Sequence, residues 1–314
     1  MKAKIVGTGR YLPEYIMTNE ILSTMVDTSD EWIKTRTGIS SRRVAKNCST
    51  SEMAVNAAGN ALENAGIQAE DIDLIIVATS TPDNNMPNTA SVVQSQLGAC
   101  NAVCFDESAA CAGFIIALSI AKAYIEAGMM KNVLVIGSDK ISRIVDWADR
   151  STCVLFGDGA GACILSAYEG NSGILGADLH NDGSKGEVLK GGSIDNRDER
   201  YIDMNGQEVF RFAVRNVPET INSLLNKEGT NKDEVKYYVL HQANIRIIES
   251  VAKRMDEDME KFPNNLKDYG NTSAASIPIL LDELNRNNKL QPDDLLVLAG
   301  FGAGLSWGSL LVRW

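Results

Sequence analysis

The chain has 314 residues, 44% hydrophobic and 23% charged, and its 30 basic against 41 acidic side chains leave a net charge of −11. These are globular proportions that argue against disorder, and the acidic balance argues against wholesale wrapping of nucleic acid. No signal-peptide-like apolar run follows the first lysines, and the most apolar stretch, Ala109 to Ala121, is broken by Ser119 and ended by Lys122, so no membrane span is expected. Six cysteines without secretory features read as free thiols in a reducing, cytoplasmic setting.

In chain order, strand-like apolar runs alternate with helical patterns, which predicts an α/β layer fold. Ser49-Thr-Ser-Glu52 is a capping box opening a helix that Gly66 closes. Asp73 to Thr79 then reads as a buried strand, a helix follows Pro87 and stops at Gly98, and Ala102 to Phe105 is a further strand. Cys111 to Ala127 reads as a helix apolar nearly all round, placed in the middle of the structure, with Val133 to Gly137 as the next strand. Gly157-Asp-Gly-Ala-Gly161 reads as a tight turn before a strand over Ala162 to Leu165. The polar stretch Asn181 to Arg200 is the best candidate for a long loop or flap between halves.

Two pairs of strands recur. Leu74-Ile-Ile-Val-Ala-Thr and Val133-Leu-Val-Ile-Gly-Ser start 59 residues apart, and Tyr237-Tyr-Val-Leu-His-Gln and Leu295-Leu-Val-Leu-Ala-Gly start 58 apart. An offset of 163 or 162 residues relates the pairs, and the same offset carries Cys111 to Ala274, inside Gly270-Asn-Thr-Ser-Ala-Ala-Ser276. Both places are small-residue segments leading into a helix. The pattern fits an internal duplication; the alternative is that buried strands simply look alike.

With only His180 and His241, and no second ligand cluster near Cys100 and Cys104, a metal site is not expected. Cys104, Cys153 and Cys163 lie in apolar runs and are assigned to packing. Cys111 is either a small thiol filling space or a nucleophile, since a helix start offers unpaired N–H groups and small neighbours admit a substrate carbonyl. His241 ends a strand, where active-site groups gather in α/β folds, or is a core histidine. Asn271 is either a site residue or an Asx turn. Neither Gly7-Thr-Gly9, with Leu12 where the fingerprint needs glycine, nor Gly300-Phe-Gly-Ala-Gly304, with no helix after it, supports a dinucleotide site.

Ala109-Ala-Cys-Ala-Gly-Phe114, Phe156-Gly-Asp-Gly-Ala-Gly161, His241-Gln-Ala-Asn-Ile-Arg246, Gly270 to Pro278 and Gly300 to Trp307 occur in this order. Together they resemble β-ketoacyl-[acyl carrier protein] synthase III, the condensing enzyme that starts type II fatty acid synthesis. The resemblance implies a thiolase-like fold, two similar α/β halves in a five-layer α-β-α-β-α arrangement, here residues 1–172 with the nucleophile and 173–314 with its partners. It implies Cys111 as the residue acylated from acyl-coenzyme A, and His241 and Asn271 as the pair assisting malonyl decarboxylation. Backbone N–H groups of Cys111 and Ala303 would form the oxyanion hole. Trp32, Arg36, Arg150 and Asn244 would hold coenzyme A, a substrate rather than a cofactor. Met86, where many members have Phe, would reach the acyl pocket of the partner in a homodimer. Arg246, Lys253 and Arg254, spaced to share one face of the helix after His241, with Arg211 and Arg215 as an extension, would receive the acidic malonyl-[acyl carrier protein], and Arg211, Arg246 and Lys253 match basic positions near the family's active-site entrance. Competing readings are a condensing enzyme of a secondary-metabolite pathway and a catalytically silent acyl-CoA-binding relative.

Overall fold

The computed structural model describes residues 1–193, 195–196 and 199–314. The chain begins with β1 (Lys2–Tyr11), β2 (Ile16–Thr18), α1 (Asn19–Ser23), α2 (Asp30–Thr37) and β3 (Ser41–Arg43). It continues through α3 (Thr50–Ala65), β4 (Leu74–Ala78), α4 (Thr89–Leu97), β5 (Val103–Glu107), α5 (Gly113–Glu126), β6 (Asn132–Asp139) and β7 (Gly159–Tyr168). After it come β8 (Gly173–Asn181), β9 (Leu189–Lys190), β10 (Asp203–Met204), α6 (Gly206–Lys227) and β11 (Val235–Leu240). The last elements are α7 (Ile245–Met255), α8 (Leu266–Tyr269), α9 (Ser276–Arg286), β12 (Leu295–Gly302) and β13 (Ser306–Arg313).

Two sheets carry the fold. One has the order β1-β7-β6-β4-β5 and the other β8-β13-β12-β11. In each, three strands run antiparallel to their neighbours in turn and the next joins in parallel: β6 with β4, and β12 with β11. Apart from the additional edge strand β5, the second sheet repeats the first.

The layers follow from strand alternation. Ile75 and Val77 of β4 pack outward with α3 and α4, whereas Leu74 and Ile76 pack inward with α5 and α9. Leu296 and Leu298 of β12 meet that same central layer, while Val297 and Ala299 face α6 and α7. The result is α-β-α-β-α. The central strands β4 and β6 are buried along their whole length, as strands covered on both faces must be.

The capping box at Ser49 and Glu52 is present, and Gly66 closes α3 in the left-handed conformation. Three expectations need correcting. The helix expected from Cys111 begins only at Gly113; Ala110–Ala112 form a separate 3-10 turn. The glycine tract is not a turn at its C-terminal end, because β7 already starts at Gly159. The missing side chain lets α9 lie close, since a Cβ on Gly161 would sit 2.7 Å from the Ile279 nitrogen. The polar stretch 181–200 does not join the halves. The chain crosses between the sheets at 169–172, and the stretch instead holds a 3-10 segment and β9, which pairs with β10. Ile194, Arg197 and Asp198 of that stretch lie outside the described residues.

Candidate active site

Cys111 stands on the 3-10 turn that feeds α5, after Ala110, whose φ of 49° is left-handed. Gly302 of β12 makes room for it: a Cβ there would lie 2.8 Å from the Cys111 nitrogen. The backbone N–H groups of Cys111 and Ala303, the residue after Gly302, donate to no acceptor among the described residues. The thiol donates to Ser273 Oγ at 3.3 Å. Packing around the sulfur pushes its pKa up to about 12.

His241 follows β11 directly, and its N–H extends the pairing with β12 by donating to the Ala299 carbonyl at 2.8 Å. The ring is buried, packs edge-on against Phe301, and titrates near 3 because burial disfavours its charged form. Its Nδ1 lies 2.7 Å from Ser276 Oγ, which itself accepts from the Gln242 N–H at 3.3 Å. One proton is shared between Nδ1 and Ser276 Oγ, and Oγ can hold the Gln242 N–H whichever of the two donates it. Nε2 has no protein partner among the described residues.

Asn271 is bound from both sides of its backbone, donating to the Leu155 carbonyl and accepting from the Gly157 N–H, each at 2.9 Å. Its side-chain Oδ1 accepts from the Ser273 N–H at 2.9 Å. The Asx turn is thus real. It orients the amide and leaves Nδ2 as a free donor among the described residues.

Cys111, His241 and Asn271 line one cavity of about 230 Å³. Trp32, Arg36 and Asn244 line it as well. The guanidinium groups of Arg36 and Arg150 lie over the Trp32 indole, 4.5 and 4.9 Å from its centre. Asn244 is the N-cap of α7, its Oδ1 accepting from the Arg246 N–H at 2.9 Å. Met86 lies away from the cavity and is 87% exposed. His180 belongs to another cluster, stacked on Trp307 and bonded to Asp178 at 2.9 Å.

The basic residues fall into two groups. Arg211 pairs with Glu208, while Arg215 and Arg254 share Glu219. Arg246 and Lys253, both exposed on α7, form no ion pair among the described residues.

Ser273, Ser276, Gly302 and Asp139 were not singled out from sequence, although Asp139 ends a strand, the same signal that marked His241. Among the described residues, no cluster of three or more His, Cys, Asp or Glu side chains is arranged to hold a metal. No helix among them is long and apolar enough to cross a membrane.

A thiol at a helix entrance, free N–H donors beside it and a neutral imidazole and carboxamide in the same cavity define a thiolase-fold acyl-transfer enzyme. The family models for 3-oxoacyl-[acyl-carrier-protein] synthase III match residues 105–183, and its C-terminal region matches residues 225–314. A β-ketoacyl-[acyl-carrier-protein] synthase III of Clostridium botulinum is 52% identical, with 99% of this chain and 98% of the relative covered. The crystal structure of 3-oxoacyl-[acyl-carrier-protein] synthase III from Aquifex aeolicus superposes with a TM-score of 0.96 at 49% identity, covering 99% and 100% of the two chains. The priming β-ketosynthase of the R1128 polyketide pathway superposes with a TM-score of 0.94 at 36% identity, covering 99% and 96%. The chain belongs to the β-ketoacyl-[acyl-carrier-protein] synthase III family.

Proposed function

We propose that this chain carries out its family's initiating condensation with Cys111 as nucleophile and His241 and Asn271 as the decarboxylation pair. The observation that carries this reading is the single cavity uniting Cys111 with two side-chain donors, beside two N–H groups free of protein acceptors. Sγ attacks the carbonyl of an acyl-coenzyme A, the N–H groups of Cys111 and Ala303 receive the oxyanion, and the coenzyme A thiolate departs. Malonyl-[acyl carrier protein] then enters. His241 Nε2–H and Asn271 Nδ2–H donate to its thioester oxygen while CO2 leaves. The resulting carbanion attacks the acyl-Cys111 carbonyl and releases 3-oxoacyl-[acyl carrier protein]. Coenzyme A enters only as a substrate, and no cofactor is invoked.

Trp32, Arg36 and Arg150 offer a flat indole and two guanidinium groups for the adenine and phosphates of coenzyme A, and Asn244 Nδ2 is available to the pantetheine arm. The carrier protein would dock on α6 and α7, which contribute Phe210 and Ile247 to the cavity. A homodimer joined across the edge strand β5 would cover Val103, 57% exposed, and carry Met86 toward the partner's acyl pocket. Six free cysteines suit a cytoplasmic setting.

The test is intact-mass analysis after mixing with a panel of acyl-coenzyme A thioesters. One acyl group should map to Cys111, and Cys111→Ala should remove it and abolish condensation while keeping the fold. An adduct on another cysteine, or none with any thioester, would refute the assignment. The panel also separates a fatty-acid primer from one suited to a secondary-metabolite pathway.

A further inference from the structure

Arg42 of β3 is fully buried, and no step of the condensation uses it. No carboxylate pairs with it among the described residues. Burial draws its pKa down to about 10, which leaves the guanidinium charged at neutral pH. A buried cation is costly unless its N–H groups find acceptors, and these acceptors lie in two directions. Nη2 donates to the Val154 carbonyl at 2.6 Å. Nη1 donates to Asn19 Oδ1 at 2.8 Å and to the Met17 carbonyl at 3.3 Å, while Nε has no partner among the described residues. Asn19 is itself anchored, its Nδ2 donating to the Ile39 carbonyl at 2.8 Å and to Asp30 Oδ1 at 2.9 Å. The planar fork thus ties β2 and the start of α1 to Val154, which lines the active-site cavity. Nearer its backbone, Arg42 runs past two glycines: a Cβ on Gly157 would lie 3.1 Å from the Arg42 Cβ, and one on Gly270 3.3 Å from it.

Val154, Gly157 and Gly270 surround the backbone of Asn271. Gly270 precedes it, the Gly157 N–H donates to its carbonyl at 2.9 Å, and Leu155, next to Val154, accepts its N–H at 2.9 Å. Phe156 bridges to it in parallel. On the reading that Asn271 serves decarboxylation, we propose that Arg42 is a positioning residue for Asn271, fixing residues 154–157 against β2 and α1 so that they set the backbone from which its amide reaches the substrate. Asn271 is then held at two levels. The Ser273 N–H on Oδ1 sets the rotation of the amide, whereas residues 154–157 set the position of the main chain that carries it. Cys111 takes its place from other neighbours, Gly302 of β12 and Ser273. Loss of the Arg42 fork therefore displaces the amide and leaves the nucleophile where it is.

Arg42→Lys keeps the charge but replaces the fork with a single ammonium, which cannot bond Val154 and Asn19 together in the same geometry. Release of labelled CO2 from malonyl-[acyl carrier protein] should fall on the order of 10-fold, while acylation of Cys111 by acetyl-coenzyme A, read by intact mass, stays within about twofold of wild type. The deciding measurement is Arg42→Lys in an Asn271→Ala background. With the amide gone, the Arg42 substitution should lower CO2 release no further, whereas a general structural role would lower it again. Equal loss of acylation and CO2 release, wild-type CO2 release in Arg42→Lys, or a second full loss in the double variant would each overturn the positioning role. Where Arg42→Lys does not fold, Asn19→Ser takes its place in the same cycle. It removes the Oδ1 acceptor, keeps the Val154 and Met17 carbonyls, and should give the same pattern on a smaller scale; wild-type CO2 release there would overturn the role as well. Wild-type CO2 release in Asn271→Ala alone would instead reject Asn271 as a decarboxylation residue, and the role of Arg42 with it.

Discussion

The two halves place the same backbone device at corresponding points and load it with different chemistry. In the first, Ala110 at φ 49° enters the 3-10 turn Ala110–Ala112 and then α5; in the second, Ser273 at φ 53° enters Ser273–Ala275 and then α9. One turn carries the thiol. The other carries the hydroxyl and N–H that hold the thiol and Asn271. Each turn packs on the other half's sheet. Cys111 sits against Gly302 of β12, and the Ser273 turn against Gly137 of β6, where a Cβ would lie 2.3 Å from the Ala274 carbonyl oxygen. This exchange brings the Cys111 thiol and the oriented Asn271 amide, far apart in the chain, into one cavity.

The outer layers differ as well. Neither α3 nor α4 contains a lysine or arginine, whereas α6 and α7 carry Arg211, Arg215, Lys227, Arg246, Lys253 and Arg254. In a chain of net charge −11, the basic side chains on which the proposed carrier docking relies therefore lie in the second half.

The largest effect separates the duties of the two turns. His241→Ala and Asn271→Ala should each reduce release of labelled CO2 from malonyl-[acyl carrier protein] on the order of 100-fold or more, with a much smaller effect on Cys111 acylation. Equal loss in both assays would dissolve the division between the halves.

An intermediate effect comes from the facing glycines. Gly302→Ala should push the Cys111 turn and slow acylation roughly 10- to 100-fold, since displacing a reacting group by about 1 Å carries that scale of cost. Gly137→Ala should push the Ser273 turn and disturb Asn271, so decarboxylation suffers too. The two variants measured in both assays give the test: identical profiles would mean that the exchange of turns has no catalytic consequence.

The smallest effect concerns the outer layer. Reversing charge at Arg246 and Lys253 together should raise the Michaelis constant for malonyl-[acyl carrier protein] several-fold and leave acylation by acyl-coenzyme A unchanged. Salt should imitate this defect in the wild type, because exposed charges are screened within about 8 Å at physiological ionic strength. Reversal at Arg211 and Arg254 should do less, as both already face carboxylates of α6. Normal turnover in the Arg246 and Lys253 variant at low salt would place docking elsewhere.

Much of the fold was legible because its signals are local. The capping box of α3, the glycine stop at Gly66 and the apolar strands occupy windows a few residues long, and the offset of 163 residues exposed the duplication. Cys111, His241 and Asn271 were legible from small neighbours, a strand end and the family resemblance. Their arrangement was not. The Cys111–Ser273 contact spans 162 residues, and Asp139 reaches Ala274 across 135. Nothing in the spacing of Gly302 distinguishes a loop glycine from one that admits a cysteine backbone, and nothing in Arg254 shows that Glu219 will answer its charge. The sequence by itself supplied most of the elements, the repeat and a short set of candidate site residues, since these follow from short-range pattern and side-chain chemistry. Tertiary structure alone decided which serine faces the thiol, which serine meets Nδ1 of His241 and which cations stay unpaired. Those outcomes depend on distances of about 3 Å between strands and turns that meet only when two sheets close on one central layer.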